Sequence, residues 1–132
     1  MKLNYDCLRK ILLIIESDLD WNDDLEFCYI NLAHITQTLK DFSKAEIAYA
    51  SKMAIEAGLI DAHIKDCDAC IIDIRYYGLT YEGHQFLDTV RENKVWKKTK
   101  DIINSAGGAS MSIIKSIAAD CLIGYIKNHF SQ

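Results

Sequence analysis

Two cysteines three positions apart form the most chemically suggestive spacing in this chain. Cys67 and Cys70 enclose two residues, and a CxxC pair of this kind supplies half of a typical zinc site. His63 or His84 could add a ligand, but a structural zinc site usually takes two such ligand pairs, and the sequence offers no second one. Strand alternation also places Cys70 on an apolar side. We therefore expect a turn thiol, a core thiol, and no metal or other cofactor.

The four histidines do not form a catalytic arrangement in the sequence. They stand at His34, His63, His84 and His129, and no helix or strand spacing brings them to a serine, a cysteine or a pair of carboxylates. Residues 107–108 are both glycine but lack a following lysine and a preceding strand, so they are not a phosphate-binding loop. We expect a protein that is not an enzyme and has no small-molecule substrate. A deep polar pocket that joined His84 to a carboxylate would favour an enzyme instead.

The composition limits the class of protein. The 132 residues are 50% hydrophobic and 26% charged, which suffices for a core without disulfides. The formal net charge of −4 argues against a strongly basic nucleic-acid binder, because phosphate neutralisation is the main source of affinity for duplexes. The five cysteines are irregularly spaced, and the N-terminus leads into an amphipathic helix without a signal pattern. These features predict a cytoplasmic protein with free thiols.

The elements that must position any functional side chain begin with a helix, a short strand and a second helix. Apolar residues at three- and four-residue steps predict the first helix: Leu8, Ile11, Leu12, Ile15 and Leu19. An acidic connector follows. Residues 26–30 are short enough for a single edge strand that pairs with a later hairpin, and residues 31–39 predict a brief second helix.

A third helix and a hairpin follow. Ser43 and Glu46 have the spacing of a capping box, and Gly58 is a natural C-terminal stop. Between them, one side of the helix is small and apolar, and the opposite side carries Ala45, Tyr49, Lys52 and Glu56, which makes that side nearly neutral. Beyond Gly58, apolar and polar residues alternate on both sides of residues 66–68, which predicts two strands joined by a turn.

Three helices complete the chain. Thr80 is placed to cap a fourth helix, in which Gly83 permits close approach of another backbone. A basic helix over residues 93–105 then ends at the two glycines. Ser110 is placed to cap a last helix with a broad apolar band, which is nevertheless too polar to span a membrane. Four lysines of the basic helix form either an anionic-surface or nucleic-acid patch or a solvated face.

This order predicts an α+β fold, a winged helix-turn-helix with a two- or three-stranded wing sheet and additional C-terminal helices. We expect a winged-helix domain over residues 1–92. Residues 93–132 are expected to form a helical extension that packs on the same core or on a partner.

Four blocks of the sequence carry a family resemblance: YDCLRKIL at residues 5–12, EAGLI at 56–60, LTYEGHQFLD at 79–88 and WKKTK at 96–100. Together they resemble the DUF2513 family of small bacterial and phage proteins, which are similar in plan to the YjcQ winged-helix proteins. The first and third blocks are fairly specific in combination, whereas the second recurs in unrelated winged helices. The resemblance implies a winged-helix fold, a bacterial or prophage source and no known catalytic residues.

Two functions remain open from the sequence, both of them binding functions. The first is a DNA-binding regulator that contacts double-stranded DNA through Ser43, Lys44, Tyr49, Lys52 and Lys65. The second is a protein-interaction adaptor that docks through the winged helix and the terminal helix. That terminal helix either seals the core or forms a homodimer through a face made of Ile114, Ile117, Cys121, Leu122 and Tyr125.

Overall fold

The computed structural model describes residues 1–130, and in this part of the chain it has six helices and one three-stranded antiparallel sheet. The helices are α1 (Tyr5–Asp18), α2 (Leu32–Thr38), α3 (Lys44–Glu56), α4 (Tyr81–Val90), α5 (Asn93–Ser105) and α6 (Met111–Phe130). The strands are β1 (Ile30–Asn31), β2 (Ile60–Cys67) and β3 (Cys70–Leu79). The expected α+β class is confirmed. The chain divides into a first compact unit, Met1–His84, and a second that begins at Gln85.

In the first unit, α1 packs against α3 and β3. The helix begins where the Asn4 side chain accepts a hydrogen bond from the Cys7 amide at 3.1 Å, which satisfies a backbone donor at the helix start. Four residues of its predicted apolar stripe are buried, namely Leu8, Ile11, Leu12 and Ile15, whereas the fifth, Leu19, lies just beyond the helix end and is half-buried. The stripe therefore forms one wall of the core of this unit.

The sheet has the order β1-β3-β2, with both pairs antiparallel. The predicted edge strand pairs with the hairpin, as expected, but it is shorter and later than residues 26–30, because only Ile30 and Asn31 join the ladder. Two local features restrict it. Leu25 has a left-handed backbone (φ 58°), which turns the chain away before the predicted strand, and the Asn31 side chain already caps α2 by accepting from the His34 amide.

The α2 helix is held to its surroundings at both the sheet and α1. The Asp73 carboxylate on β3 accepts from the Leu32 amide at 3.3 Å and from the Ile74 amide at 2.8 Å. The Asp18 carboxylate at the end of α1 lies 2.7 Å from Nε2 of His34, and this hydrogen bond holds the pKa of Asp18 below its usual value. Both carboxylates therefore have structural partners.

One buried polar contact joins α3 to β3. The Ser51 hydroxyl lies 2.8 Å from the Ile47 carbonyl, to which it donates, and 2.7 Å from the Tyr76 hydroxyl. Both side chains have no solvent exposure. Because the Ser51 proton is given to the carbonyl, the Tyr76 hydroxyl must donate to Ser51. Burial raises the pKa of Tyr76 to about 12.

The hairpin forms as predicted, but its tip does not follow the predicted alternation. Lys65 pairs with Asp73 while Asp66 pairs with Ile71, so Ile72 is an extra residue on β3, a β-bulge. All residues from 65 to 72 are exposed, on both faces of the hairpin, so the tip extends beyond the core. The prediction that Cys70 is a core thiol is therefore wrong.

The α4 helix begins as its sequence predicted. The Thr80 hydroxyl accepts from the Gly83 amide at 3.0 Å and donates to the Gly58 carbonyl. Gly58 has a positive φ of 73°, which a glycine adopts without strain. Gly83 lies against the Leu59 carbonyl, so closely that a Cβ atom there would overlap it. The predicted close backbone approach is confirmed.

In the second unit, α5 packs against α6. The two helices are separated at Gly107 and Gly108, which have φ values of 80° and 120° and whose amides bond back to the Asn104 and Ile103 carbonyls. The predicted helix break is confirmed. Ser110 lies before α6, but its hydroxyl contacts that of Ser112 at 3.3 Å, while its carbonyl accepts from the Ile114 amide. Among residues 1–130, no helix combines the length and apolar character that a membrane crossing requires.

Candidate nucleic-acid interface

The α3 helix is fixed in place at its first turn. The Ser43 hydroxyl accepts from the Glu46 amide at 3.0 Å, and the Glu46 carboxylate accepts from the Ser43 amide at 3.1 Å, so the predicted capping box is confirmed. Asn4 at the start of α1 donates to the same carboxylate at 3.1 Å. These hydrogen bonds, the Ser43 amide first, hold the pKa of Glu46 below its usual value.

The two faces of α3 separate as the sequence predicted. Its inward residues are all buried: Ile47, Ala50, Ser51 and Ala54. Lys44 and Lys52 are exposed on the other side, and Tyr49 between them is half-buried. Eight residues of helix rise about 12 Å, so the two lysines span a little over two turns of one face. The helix thus presents two cations and one phenol to solvent, together with the exposed carboxylate of Glu56.

Ser43 and Lys65 complete the predicted DNA contacts. The Ser43 oxygen is already engaged as the helix cap, which leaves its hydroxyl proton available as a donor. Lys65 is exposed on β2, and β2 packs against α3. Four of the predicted residues therefore lie on or next to one helix, and the fifth lies on the adjacent strand.

The exposed face of the hairpin carries mixed charge. Lys65 stands opposite Asp73, and His63 stands opposite Arg75. The Arg75 guanidinium lies over the Tyr29 ring, 4.9 Å from its centroid, in a cation–π contact. Because the Asp73 carboxylate accepts two backbone amides, it is partly neutralised by those donors. The hairpin therefore repels a phosphate less strongly than its number of aspartates alone would predict.

The CxxC pair lies at the tip of this hairpin. Cys67 and Cys70 are directly opposite each other in the register, both are exposed, and their Sγ atoms are 2.7 Å apart. His63 and His84 do not join them as ligands: within residues 1–130 no three His, Cys, Asp or Glu side chains are grouped to hold a metal ion.

A surface groove of about 430 Å³ lies elsewhere on the first unit. It includes Glu16 and His84, whose Oε2 and Nδ1 atoms are 3.9 Å apart, together with Asp20. The rest of its lining is mainly apolar or aromatic, including Trp21 and Tyr77. A carboxylate therefore meets His84 in this groove, at a separation longer than a hydrogen bond.

Sequence reasoning missed this groove and the loop beside it. Residues 18–26 hold five acidic side chains and no basic ones, and several large apolar side chains are also exposed on the loop: Trp21 at 74%, Leu25 at 72% and Phe27 at 86%. Their hydrophobic character was visible in the sequence, but their exposure was not. An exposed apolar group rimmed by charges is typical of a protein-binding surface.

The α6 residues that were predicted to form a partner face are not the ones that α6 exposes. Ile114 and Cys121 are buried within the chain, and Ile117, Leu122 and Tyr125 are half-buried. The apolar residues that α6 exposes are others, namely Ile113, Ile123, Ile126 and Phe130.

On α5 the four lysines lie at Lys94, Lys97, Lys98 and Lys100, and Lys100 lies over the Trp96 ring at 5.9 Å.

Comparisons with known proteins give one family and one relative. Residues 2–109 match the family model described as "Hypothetical protein (DUF2513)". A Haemophilus influenzae protein named "Uncharacterized protein" is 30% identical over 119 residues, which cover 89% of this chain and 92% of that protein. No solved structure gives a significant match.

Proposed function

This chain belongs to the DUF2513 family, and we propose that it is a winged-helix DNA-binding regulator rather than an enzyme. The order of elements in the first unit carries the proposal: helix, short strand, two helices and a two-stranded hairpin. In a winged helix-turn-helix of this order, the third helix enters the major groove and the hairpin contacts the backbone beside it. The capped α3 helix is the recognition helix of the proposal, and β2 with β3 is its wing.

Three lysines supply the electrostatic part of the proposed interface: Lys44 and Lys52 on α3, and Lys65 on the wing. Tyr49 and the Ser43 hydroxyl add neutral donors for phosphate or base edges. Each neutralised phosphate contributes about −0.9 to the slope of log affinity against log salt concentration. Three contacts give a slope of about −3, which is shallow for a DNA-binding protein. The proposal therefore requires that binding be measured at low salt.

The experiment is a fluorescence-anisotropy titration of a labelled random-sequence duplex. Raising salt from about 50 to about 200 mM should weaken binding about 40-fold for three phosphate contacts. The variant Lys52→Glu should weaken binding at low salt at least tenfold and make the salt slope shallower by about 1.

Lys97→Glu provides the matched control, because it makes the same charge change at an exposed lysine of α5. It should leave duplex binding within about twofold of the unmodified protein, apart from the small effect of net charge. Equal losses in both variants would mean that only overall charge matters, and a loss confined to Lys97→Glu would move the interface to the basic helix. Either result, or no binding at low salt, contradicts the proposal.

The rival function is a protein-interaction adaptor, and the loop after α1 specifically favours it. Its exposed Trp21, Leu25 and Phe27 stand among carboxylates, so the surface suits a partner that is both apolar and basic. Leu25 holds a left-handed backbone, which is uncommon for a branched side chain and keeps the loop in a defined turn with Asn22. Homodimerisation through α6 is part of the same adaptor hypothesis, and light scattering measures it.

Tryptophan emission tests the adaptor directly. Trp21 is 74% exposed and Trp96 only 4%, so a change of polarity at the loop shifts the Trp21 emission. An amphipathic Lys/Leu helical peptide is the probe, and a blue shift that disappears in Trp21→Phe is the expected result. A matched peptide with glutamate in place of lysine should give no shift. Duplex binding without any peptide response favours the regulator, and the reverse pattern favours the adaptor.

A further inference from the structure

The tip of the β2–β3 hairpin is built like a disulfide site. Cys67 ends β2, Cys70 begins β3, and only Asp68 and Ala69 separate them. They are Cα partners in the antiparallel ladder, where directly opposite Cα atoms are about 4.5–5.5 Å apart. That spacing lies within the range of about 4.4–6.8 Å that a disulfide spans. The backbone therefore needs no rearrangement to join these two residues.

The side chains also point toward each other. Their Sγ atoms are 2.7 Å apart, which is less than 1 Å longer than an S–S bond of about 2.05 Å. Both residues are exposed to solvent, so a small reagent can reach either sulfur. The remaining cysteines differ: Cys7 and Cys121 are buried, and Cys28 is half-buried.

The two thiols are chemically unequal. The hydrogen bond between the two sulfurs lowers the pKa of Cys67, and the amides of Ala69 and Cys70 add to this effect. The same hydrogen bond raises the pKa of Cys70. By contrast, burial raises the pKa of Cys7 to about 11. Cys67 is therefore the favoured attacking thiolate, and Cys70 is the resolving thiol.

We propose that Cys67 and Cys70 form a reversible dithiol–disulfide site whose reaction partner is a low-molecular-weight disulfide. The Cys67 thiolate attacks one sulfur of the small disulfide and forms a mixed disulfide with it. The S–S bond of the small disulfide breaks, and the departing small thiolate takes a proton from solvent. Cys70 then loses its proton to solvent, attacks Sγ of Cys67, and releases the second small thiol. The protein dithiol is oxidised by two electrons, and the small disulfide is reduced to two thiols. An excess of small thiol reverses both steps.

This site depends on the hairpin register and on exposure, and not on DNA binding. It contributes a redox-responsive group at the end of the ribbon, where oxidation ties the two strands together across a two-residue turn. Equilibration with glutathione tests this site without DNA. A negative result there is therefore separate from a negative result for duplex binding.

The experiment equilibrates the full chain with mixtures of oxidised and reduced glutathione, alkylates the free thiols and measures intact and peptide masses. The unmodified protein should lose two hydrogen atoms, located between Cys67 and Cys70, as the oxidised fraction rises, and should regain them with excess reduced glutathione. Cys70→Ser should trap a glutathione adduct on Cys67, because the resolving thiol is absent. Cys67→Ser should likewise stop at a glutathione adduct on Cys70, and Cys28→Ser should behave like the unmodified protein.

Circular dichroism checks that each variant is folded, and substitution of exposed side chains at the tip removes no core contact. Both thiols remaining alkylatable in pure oxidised glutathione would overturn the proposal. So would oxidation that yields only disulfide-linked dimers. Thiols that stay reduced but retain zinc after dialysis would also overturn it.

Discussion

The buried hydroxyl pair between α3 and β3 gives a sharp test of how the proposed recognition helix is held. Removing Ser51 in Ser51→Ala leaves the Tyr76 hydroxyl buried with no acceptor, which costs about 2 kcal/mol of unfolding free energy. Removing the Tyr76 hydroxyl in Tyr76→Phe is milder, about 1 kcal/mol, because Ser51 still donates to the Ile47 carbonyl. The double variant loses both partners together, so its loss should fall below the sum of the single losses by about 1 kcal/mol.

Urea denaturation followed by circular dichroism measures all four proteins. The order of stability distinguishes this hydrogen-bond account from a simple loss of packing. The Tyr76→Phe change removes one atom and Ser51→Ala also removes one, so packing alone predicts similar losses. Additive losses, or a larger loss for Tyr76→Phe than for Ser51→Ala, would refute the reasoning.

The pKa of Tyr76 adds a pH signature to the same prediction. Its folded value of about 12 lies above its ordinary value of 10.0, so the folded state binds this proton more tightly. The resulting stability is complete below pH 10 and is lost as pH rises toward 12, by roughly 2–3 kcal/mol. Tyr76→Phe lacks this loss of stability, whereas the contribution from the raised pKa of Cys7 is the same in both proteins. The two stability curves should therefore cross between pH 10 and 12, and parallel curves would contradict the assignment.

Three further variants test the ends of the helices. Gly83→Ala should destabilise the protein by about 1–3 kcal/mol because its Cβ meets a backbone carbonyl, whereas Gly124→Ala, a helical glycine with open space, should stabilise it by about 0.5–1 kcal/mol in the same urea assay. Thr80→Ala should lose about 1–2 kcal/mol with the loss of two hydrogen bonds, and Thr80→Ser should lose under 0.5 kcal/mol, about the surface-substitution range. Ser43→Ala should cost about 1 kcal/mol at neutral pH. Because the Glu46 pKa is lowered in the fold, its contribution to stability is present above the ordinary value of 4.5 and is lost as pH falls through the folded value. Ser43→Ala keeps the Ser43 amide that donates to Glu46, so thermal melts of both proteins should lose this contribution in acid, with the difference due to the lost Ser43 hydroxyl remaining.

Local chemistry made the helix ends predictable. Ser43, Gly58 and Thr80 each act on backbone groups within a few residues, which a local sequence pattern contains; the second hydrogen bond of Thr80, to the Gly58 carbonyl, is not local. The hairpin tip was different. Alternation along one strand predicts which side chains share a face, but it does not show that the tip extends beyond the core, where both faces are exposed and Cys70 is not buried.

The solvent exposure of individual side chains and the contacts between distant residues also could not be predicted from the sequence. Nothing near Glu16 indicates that His84, 68 positions later, lies 3.9 Å from it. The apolar residues of the loop after α1 resemble core residues in composition, and only the fold shows that Phe27 is exposed. The candidate contacts on α3 were accessible to reasoning because they share one helix face, whereas the groove needed residues from three separate parts of the chain.

The distribution of charge bears on the choice between the two proposed functions more than the net value does. Five of the 19 acidic side chains lie in residues 18–26, and the other 123 residues hold 15 basic and 14 acidic side chains. Of those acids, Glu46 and Asp73 already accept backbone amides at the starts of α3 and α2. Most of the net charge of −4 therefore comes from the loop, and the rest of the chain is close to neutral. On α3 the exposed Lys44 and Lys52 are accompanied by the exposed Glu56, so the predicted salt dependence of duplex binding is the measurement that decides whether this helix attracts a phosphate.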